Sequence, residues 1–315
     1  MLKRILPIIK AIVSIALVIF ILSKVDVSKL LTALSSINAV FFSLALLSHF
    51  VAIPIAAYML KLSLYVNNIN LNLKPLMGIN LIGSFFNNFL PTAIGGDIAK
   101  VYYISSYSKN NLVSIITVLF NRMVGFFCLL VLGVVGLIFG YGIVNDISIA
   151  IAVIGLLFLF LLLLFFIWDK NIMGRFKYIT KIVSMIDKRE IIKKSYENFN
   201  KYKQHKKEVL FIFLLSFLIQ LIVMLYYYLI ILSLNLKVPI FYLLMVVPLI
   251  TIIEVLPLSV GGIGVRESAT FYFFTKIGIE PHSAVLIGFI NYILRVLLSF
   301  VGGIIFMFRR NKVRT

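Results

Sequence analysis

Two stretches place glycines and charged side chains inside apolar sequence. Residues 254–267 read Glu-Val-Leu-Pro-Leu-Ser-Val-Gly-Gly-Ile-Gly-Val-Arg-Glu, and residues 90–100 read Leu-Pro-Thr-Ala-Ile-Gly-Gly-Asp-Ile-Ala-Lys. When the Leu-Pro pairs are aligned, the Gly-Gly pairs coincide, and Lys100 and Arg266 each follow the first glycine of their pair by five positions. Glycine and proline weaken helices, and a charge inside a membrane segment marks a functional site. The pattern therefore indicates a duplicated break in two helices.

Such breaks predict an anion site. A helix that opens at a glycine pair has unpaired N–H groups at its positive end, and arginine holds phosphate through two parallel hydrogen bonds. Arg295 lies in another apolar run, where it either faces the same cavity or extends to the interface. The residues that we expect to bind substrate are glycines, cations and carboxylates: Gly95, Gly96, Gly261, Gly262, Gly264, Lys100, Arg122, Arg266, Arg295, Asp97, Glu254 and Glu267.

Several of these charges also have structural interpretations. Arg122 either binds phosphate or pairs with Asp97 or Glu254, because buried charges are normally paired. Asp97 either caps the helix that follows it or meets a cationic headgroup or a proton. Glu254 has no evident capping role and is the best candidate for proton coupling. Glu267 follows Arg266 and serves either the substrate or the orientation of that arginine.

Other polar residues give weaker signals. Amides within apolar runs more often join helices than bind ligands, which we expect of Asn87, Asn88, Asn121, Gln220 and Asn291. The three histidines are too scattered for a metal site, and no cofactor or metal is expected. The sequence has no Walker A loop, His-Glu-x-x-His motif or nucleophile elbow, so we expect no catalytic residues and no enzymatic activity.

The composition is that of a polytopic membrane protein. Of the 315 residues, 62% are hydrophobic and only 13% are charged, whereas soluble domains are about one quarter charged. Only helices and closed barrels satisfy their backbone in lipid, and these apolar runs are too long and continuous for barrel strands. We therefore expect one all-α integral membrane domain over residues 1–315. The net charge of +19 is attributed to cytoplasmic loops and anionic headgroups, and no nucleic acid is expected.

About six apolar runs have the length of a spanning helix: 5–23, 39–60, 112–140, 148–168, 208–234 and 283–308. Residues 24–38 are interpreted as a short polar loop. Residues 76–108 and 240–276 contain the two breaks and are predicted to form re-entrant helical hairpins. The first half, 1–168, is joined to the second half, 208–315, by 169–207, which is predicted to be a basic amphipathic segment on the cytoplasmic leaflet or a solvated loop.

The positive-inside rule places the N-terminus, residues 169–207 and the C-terminus in the cytoplasm. Counting crossings under that constraint makes hairpin 76–108 enter from the cytoplasm and hairpin 240–276 from outside. Their tips, 91–96 and 257–262, are then expected to meet near the midplane. Inverted broken helices with a site between them are a transporter design.

The ordered motifs resemble the flippase-like membrane domain of lysylphosphatidylglycerol synthases and of related stand-alone bacterial and archaeal proteins. The resemblance covers essentially the whole chain and has three parts: Leu90-Pro91-x-x-x-Gly95-Gly96-Asp97, then Asn121-Arg122 with Gly125, then Glu254-x-x-Pro257-x-x-x-Gly261-Gly262-x-Gly264-x-Arg266-Glu267. It implies a lipid translocator. We expect this chain to lack the C-terminal domain that makes the aminoacylated lipid in the synthases, so a lysyltransferase activity is not expected.

The resulting expectation is transbilayer movement of a phosphate-bearing lipid in the plasma membrane. The lipid is either an aminoacylated or other phospholipid, or a polyprenyl-phosphate carrier. One alternative is a membrane-embedded transferase or subunit in lipid or cell-envelope biosynthesis. Another is a non-catalytic partner that positions a cytoplasmic enzyme, such as a glycosyltransferase, through residues 169–207.

Overall fold

The computed structural model describes residues 27–90, 94–144, 146–168, 200–256 and 261–309, together with the separate positions 15, 19, 23, 198 and 259. Most of the predicted first span, 5–23, and most of the basic segment, 169–207, lie outside the described residues. So do half of the residues of the two predicted tips.

All regular structure in the described ranges is helical. The helices are α1 Val27–Ser35, α2 Ala39–Tyr65, α3 Leu73–Phe89, α4 Gly95–Ser108, α5 Asn111–Val144, α6 Ile147–Trp168, α7 Lys206–Ser233, α8 Ile240–Val255, α9 Val265–Thr275 and α10 Pro281–Arg309. Four of them, α2, α5, α7 and α10, are long and apolar enough to cross a bilayer. The prediction of an all-α polytopic membrane protein is confirmed.

The interpretation of residues 24–38 as a polar loop is wrong, because α1 occupies Val27–Ser35. Leu30, Ala33 and Leu34 pack against the main core, and their spacing is that of one helix face. Lys24, Asp26 and Lys29 make the segment polar on average, although one face of its helix is apolar.

The first break forms a helical hairpin from α3 and α4. Near the break, the backbone N–H of Gly96 donates to Asn87 Oδ1 at 2.7 Å. Farther from the break, Gly83 packs against the aliphatic stem of Lys100. These nested contacts show that the arms run antiparallel. With 17 residues, α3 is about 25 Å long, shorter than the roughly 30 Å hydrocarbon core.

The second break forms a matching hairpin from α8 and α9. Glu254 and Arg266 pair beside the break, and the Tyr242 hydroxyl bonds the Phe273 carbonyl near the open end. The glycines at 261, 262 and 264 have backbone φ angles of +59°, +78° and +81°. Residues that carry a Cβ rarely adopt such angles. The glycine pattern therefore encodes the turn itself.

The two hairpins open at opposite ends of the molecule. Helix α7 runs between these ends: His205, which precedes it, packs its ring 6.5 Å from that of Tyr65, and Ser233 at its end accepts a 2.8 Å hydrogen bond from the Asn38 backbone. The first hairpin starts a short turn after Tyr65, and the second starts a short turn after Ser233. The predicted inverted arrangement is therefore present in the fold.

An ion pair ties the second hairpin to the loop between α5 and α6. Asp146 in that loop pairs with Lys276, which directly follows α9. The hydrogen bond from the lysine lowers the pKa of Asp146 to about 2. This ion pair therefore joins the open end of the second hairpin to the α5–α6 loop.

The positive-inside rule assigns the open end of the first hairpin to the cytoplasm and that of the second hairpin to the outside. This assignment predicts a labelling pattern. Lys237 and Lys74 are both exposed. Lys237 lies in the turn before α8, and Lys74 lies in the first turn of α3. In a Cys128→Ala background, we expect Lys237→Cys to react with a membrane-impermeant maleimide on intact cells, and Lys74→Cys to react only after permeabilisation. The reverse pattern would overturn the assignment of sides.

Candidate functional site

Described residues beside the two breaks meet at a cavity of about 360 Å³. Gly261 lies so close to the Asn88 backbone that a Cβ there would be 2.6 Å from the Asn88 carbonyl oxygen. The Asn88 side-chain amide donates to the Arg295 carbonyl at 3.3 Å. Hairpin tips and α10 therefore form one contact region, and residues of α2, α5 and α7 complete the cavity wall.

The first hairpin supplies a charged wall. Asp97, in the first turn of α4, pairs with Arg122 of α5. The Arg122 guanidinium also lies 5.5 Å from the centre of the Phe126 ring. Lys100, one turn after Asp97, lines the cavity without an ion-pair partner among the described residues. The structure thus decides between the two partners predicted for Arg122 in favour of Asp97.

The second hairpin supplies the opposite wall. A single oxygen of Glu254, Oε1, accepts hydrogen bonds from both Arg266 and Arg295. Arg266 is fully buried, whereas the Arg295 side chain is 25% exposed. Arg266 also donates to the Gly261 carbonyl at 3.3 Å. Glu254 therefore links its own hairpin to α10.

The start of α9 has its own cap. The N–H of Gly264 donates to Glu267 Oε2 at 2.6 Å, so the Glu267 carboxylate caps the start of α9. At the start of α4 the N–H of Gly96 donates instead to Asn87 Oδ1 of the preceding arm. Asp97 pairs with Arg122, and the contact that Asn87 makes between the two helices supplies the capping acceptor.

The predicted site residues fall into two groups. Asp97, Lys100, Arg122, Glu254, Gly261, Gly262 and Arg295 line the cavity. Gly95, Gly96, Gly264, Arg266 and Glu267 are buried behind it. The residues of the second group build the hairpin tips and orient Glu254. Arg266 therefore does not line the cavity itself and acts on it through Glu254.

Sequence reasoning missed part of the uncharged lining: Asn80, Ser216, Thr251 and Ser259. Their only sequence signal is a polar side chain within an apolar run. Asn121 and Gln220 also line the cavity, and they make the predicted interhelical bonds, to Ser63 at 2.5 Å and to the Gly125 carbonyl at 3.2 Å.

The described residues contain no group of three or more His, Cys, Asp or Glu side chains suited to a metal ion. His49 instead packs its ring 5.1 Å from that of Tyr226. Three cations and two carboxylates line the cavity, which leaves one excess positive charge. The arrangement suits one bound anion, with neutral hydrogen-bonding groups around it.

A model of the family described as lysylphosphatidylglycerol synthase TM region matches residues 8–303. The chain belongs to this family. The membership indicates a membrane protein with a role related to membrane lipids. No curated protein and no solved structure matches the chain at a significant level.

The shared carboxylate predicts a stability effect. Glu254→Gln leaves the buried Arg266 without its charged partner, and breaking a buried ion pair costs about 3–5 kcal/mol. We expect a clear fall in the thermal unfolding midpoint of the detergent-solubilised protein. Glu208→Gln is the matched control, because Glu208 is partly exposed and lies 3.6 Å from His205. Equal midpoints for the two variants would contradict the structural role of Glu254.

Proposed function

We propose that the protein moves a phosphate-bearing lipid between the leaflets of the plasma membrane, with both termini in the cytoplasm. The observation that supports this most is the cavity with excess positive charge between the tips of two opposed hairpins. Because the chain belongs to a membrane-lipid family, a lipid headgroup is the natural anion for such a cavity.

Phosphate fits the cations that line the cavity. Arg122 and Arg295 are both partly exposed, and each is already paired with a hairpin carboxylate. A phosphate can replace those carboxylates while keeping charge-assisted hydrogen bonds to the arginines. Lys100 adds a third cation, and it can bind phosphate without first breaking an ion pair within the described residues. The carboxylates of Asp97 and Glu254 thus hold the arginines in place until the substrate arrives.

The lining also favours a lipid over a soluble anion. Leu256 lines the cavity and is 46% exposed, and Ile94 and Ile98 are exposed on the other hairpin. In a membrane protein such surfaces face acyl chains. The lipid tail can therefore stay in the bilayer while its phosphate enters the cavity.

Opposed hairpins suit movement in two directions. Inverted repeats around a central site allow one repeat to rock against the other and expose the site alternately. In this chain each hairpin is attached to a spanning helix by an ion pair at the cavity wall, Asp97 to α5 and Glu254 to α10. Exchange of these pairs for substrate contacts would release the hairpins. No catalysis is proposed, and any partner enzyme would bind through residues 169–207.

Leaflet exchange in liposomes tests this function. Lys100→Gln removes a cavity cation without breaking an ion pair among the described residues, so we expect exchange of a labelled phospholipid to slow at least tenfold. A charge-assisted hydrogen bond contributes about 1.5–3 kcal/mol, and 1.4 kcal/mol corresponds to a factor of ten. Arg122→Gln and Arg295→Gln should slow exchange as well.

Lys207→Gln serves as the control, because this lysine is exposed and lies outside the cavity. Monodisperse elution and native helix content establish that each variant is folded. Exchange at the native rate in folded Lys100→Gln, Arg122→Gln and Arg295→Gln proteins would refute the phosphate site.

A further inference from the structure

We infer that four residues form a gate that closes the cavity towards the end of the molecule at which the second hairpin opens. The gate residues are His49 of α2, Tyr226 and Tyr227 of α7, and Asn291 of α10. The inference rests on the proposed function, because a gate matters only if a ligand passes it. It identifies the barrier between the cavity and one of the two leaflets.

The cavity lies on one side of these residues. Helix α2 runs from the open end of the second hairpin towards that of the first, and its lining residues, Ala56, Met59 and Leu60, are all in its second half. Helix α7 runs the opposite way, and its described lining residues end at Gln220, near its middle. Among the described residues of α10, only Arg295, at the middle of the helix, lines the cavity. The cavity therefore extends from the middle of the protein towards the open end of the first hairpin.

The gate residues continue the same helix faces beyond the cavity. On α2, His49 precedes the lining residue Ala56 by seven positions, and on α7, Tyr227 follows the last lining residue by seven positions. Positions seven apart share a helix face and are about 10 Å apart along the axis. Asn291 precedes Arg295 by one turn of α10, also on one face. Three helices thus place a polar side chain next to the closed side of the cavity.

Contacts between the gate residues close this layer. The Tyr226 hydroxyl donates to the Asn291 backbone carbonyl at 3.0 Å. The His49 ring lies 5.1 Å from the Tyr226 ring, and the Tyr227 ring packs edge-on against Tyr226 at 5.9 Å. Tyr226 is 2% exposed, and Tyr227 and Asn291 are 0% exposed. The three helices are therefore in contact here, and the packed layer leaves no passage for a headgroup.

The gate adjoins the charged wall of the second hairpin. The hydroxyls of both tyrosines interact electrostatically with Glu254 and Arg295, and His49 interacts with Arg295. Arg295 is one of the arginines whose carboxylate the proposed phosphate replaces. Loading of the cavity therefore changes the charges that the gate residues face, which couples binding of the ligand to opening of the gate.

The gate is polar at positions where an apolar seal would be more stable. The Tyr227 hydroxyl and the Asn291 side-chain amide are buried, and no described residue hydrogen-bonds them. We expected the Asn291 amide to join helices, but the described contact to α7 is made by its backbone carbonyl. Buried polar groups almost always have partners, and an apolar side chain would avoid the cost of desolvating them. When the gate opens, these groups can bond a headgroup that passes.

Side-specific thiol labelling tests the gate. Ala56 lines the cavity and is partly exposed, so Ala56→Cys in the Cys128→Ala background places a thiol at the cavity wall. Lys74→Cys and Lys237→Cys, each in a separate protein, define the two sides. The anionic, membrane-impermeant reagent 2-sulfonatoethyl methanethiosulfonate is applied to intact cells and to inside-out vesicles. We expect Ala56→Cys to react at least about tenfold faster from the side on which Lys74→Cys reacts, which corresponds to a closed gate favoured by about 1.4 kcal/mol.

Variants of the gate should reduce this difference between the sides. Tyr226→Ala with Tyr227→Ala removes two rings from the layer, so the ratio of the two labelling rates should fall towards one. Tyr226→Phe keeps the ring and removes one hydrogen bond, so the ratio should fall about two- to tenfold. Tyr58→Ala is the control, because this tyrosine is 41% exposed and lies outside the gate and the cavity lining. Its ratio should stay native, and monodisperse elution and native helix content establish that each variant is folded.

The results separate the gate from the proposed function. Equal labelling of Ala56→Cys from both sides, with the gate residues intact, would refute a closed layer. An unchanged ratio in the folded Tyr226→Ala, Tyr227→Ala protein would refute the assignment of the gate to these residues. Labelling requires no lipid movement, so the expected labelling pattern in a protein that exchanges no lipid would refute the proposed function and still support the gate.

Discussion

The structure depends on pairing charges that lie deep in an apolar protein. Arg266 is fully buried, and a buried arginine needs a carboxylate close to it. Glu254 provides one from the facing arm of the same hairpin, and the same oxygen also binds Arg295 of α10. This shared contact closes the second hairpin, fixes it to a spanning helix and places charge at the cavity wall. The pair Asp97–Arg122 joins the first hairpin to α5 in a similar way.

Close backbone packing makes these pairings possible. A Cβ on Gly96 would strike the Gly83 carbonyl of the facing arm, and one on Gly302 would strike the backbone at Leu81. Gly261 packs equally closely on Asn88. These approaches bring the first hairpin against α10 and bring both tips together. The glycines thus set the separation of the charged walls, and the carboxylates and arginines set what the cavity binds.

Much of the fold could be predicted from the sequence, because long apolar runs and the duplicated Gly-Gly breaks are strong signals. The breaks and their opposite orientation follow from spacing and loop charge. The direction in which each side chain points does not follow from spacing or loop charge. Lys100 and Arg266 occupy equivalent positions in the two motifs, yet Lys100 lines the cavity and Arg266 lies behind Glu254. Rotation of each arm depends on packing with other helices, which spacing within one segment does not encode.

The central claim is that a lipid phosphate occupies the cavity between the two hairpin tips. The most direct measurement is an experimental structure of the protein in nanodiscs that contain phosphatidylglycerol. We predict density for a phosphate within hydrogen-bonding distance of Arg122 and Arg295, with the lipid tail leaving the cavity past Leu256. A well-resolved cavity that contains only water, with lipid phosphates confined to the two membrane surfaces, would contradict the account.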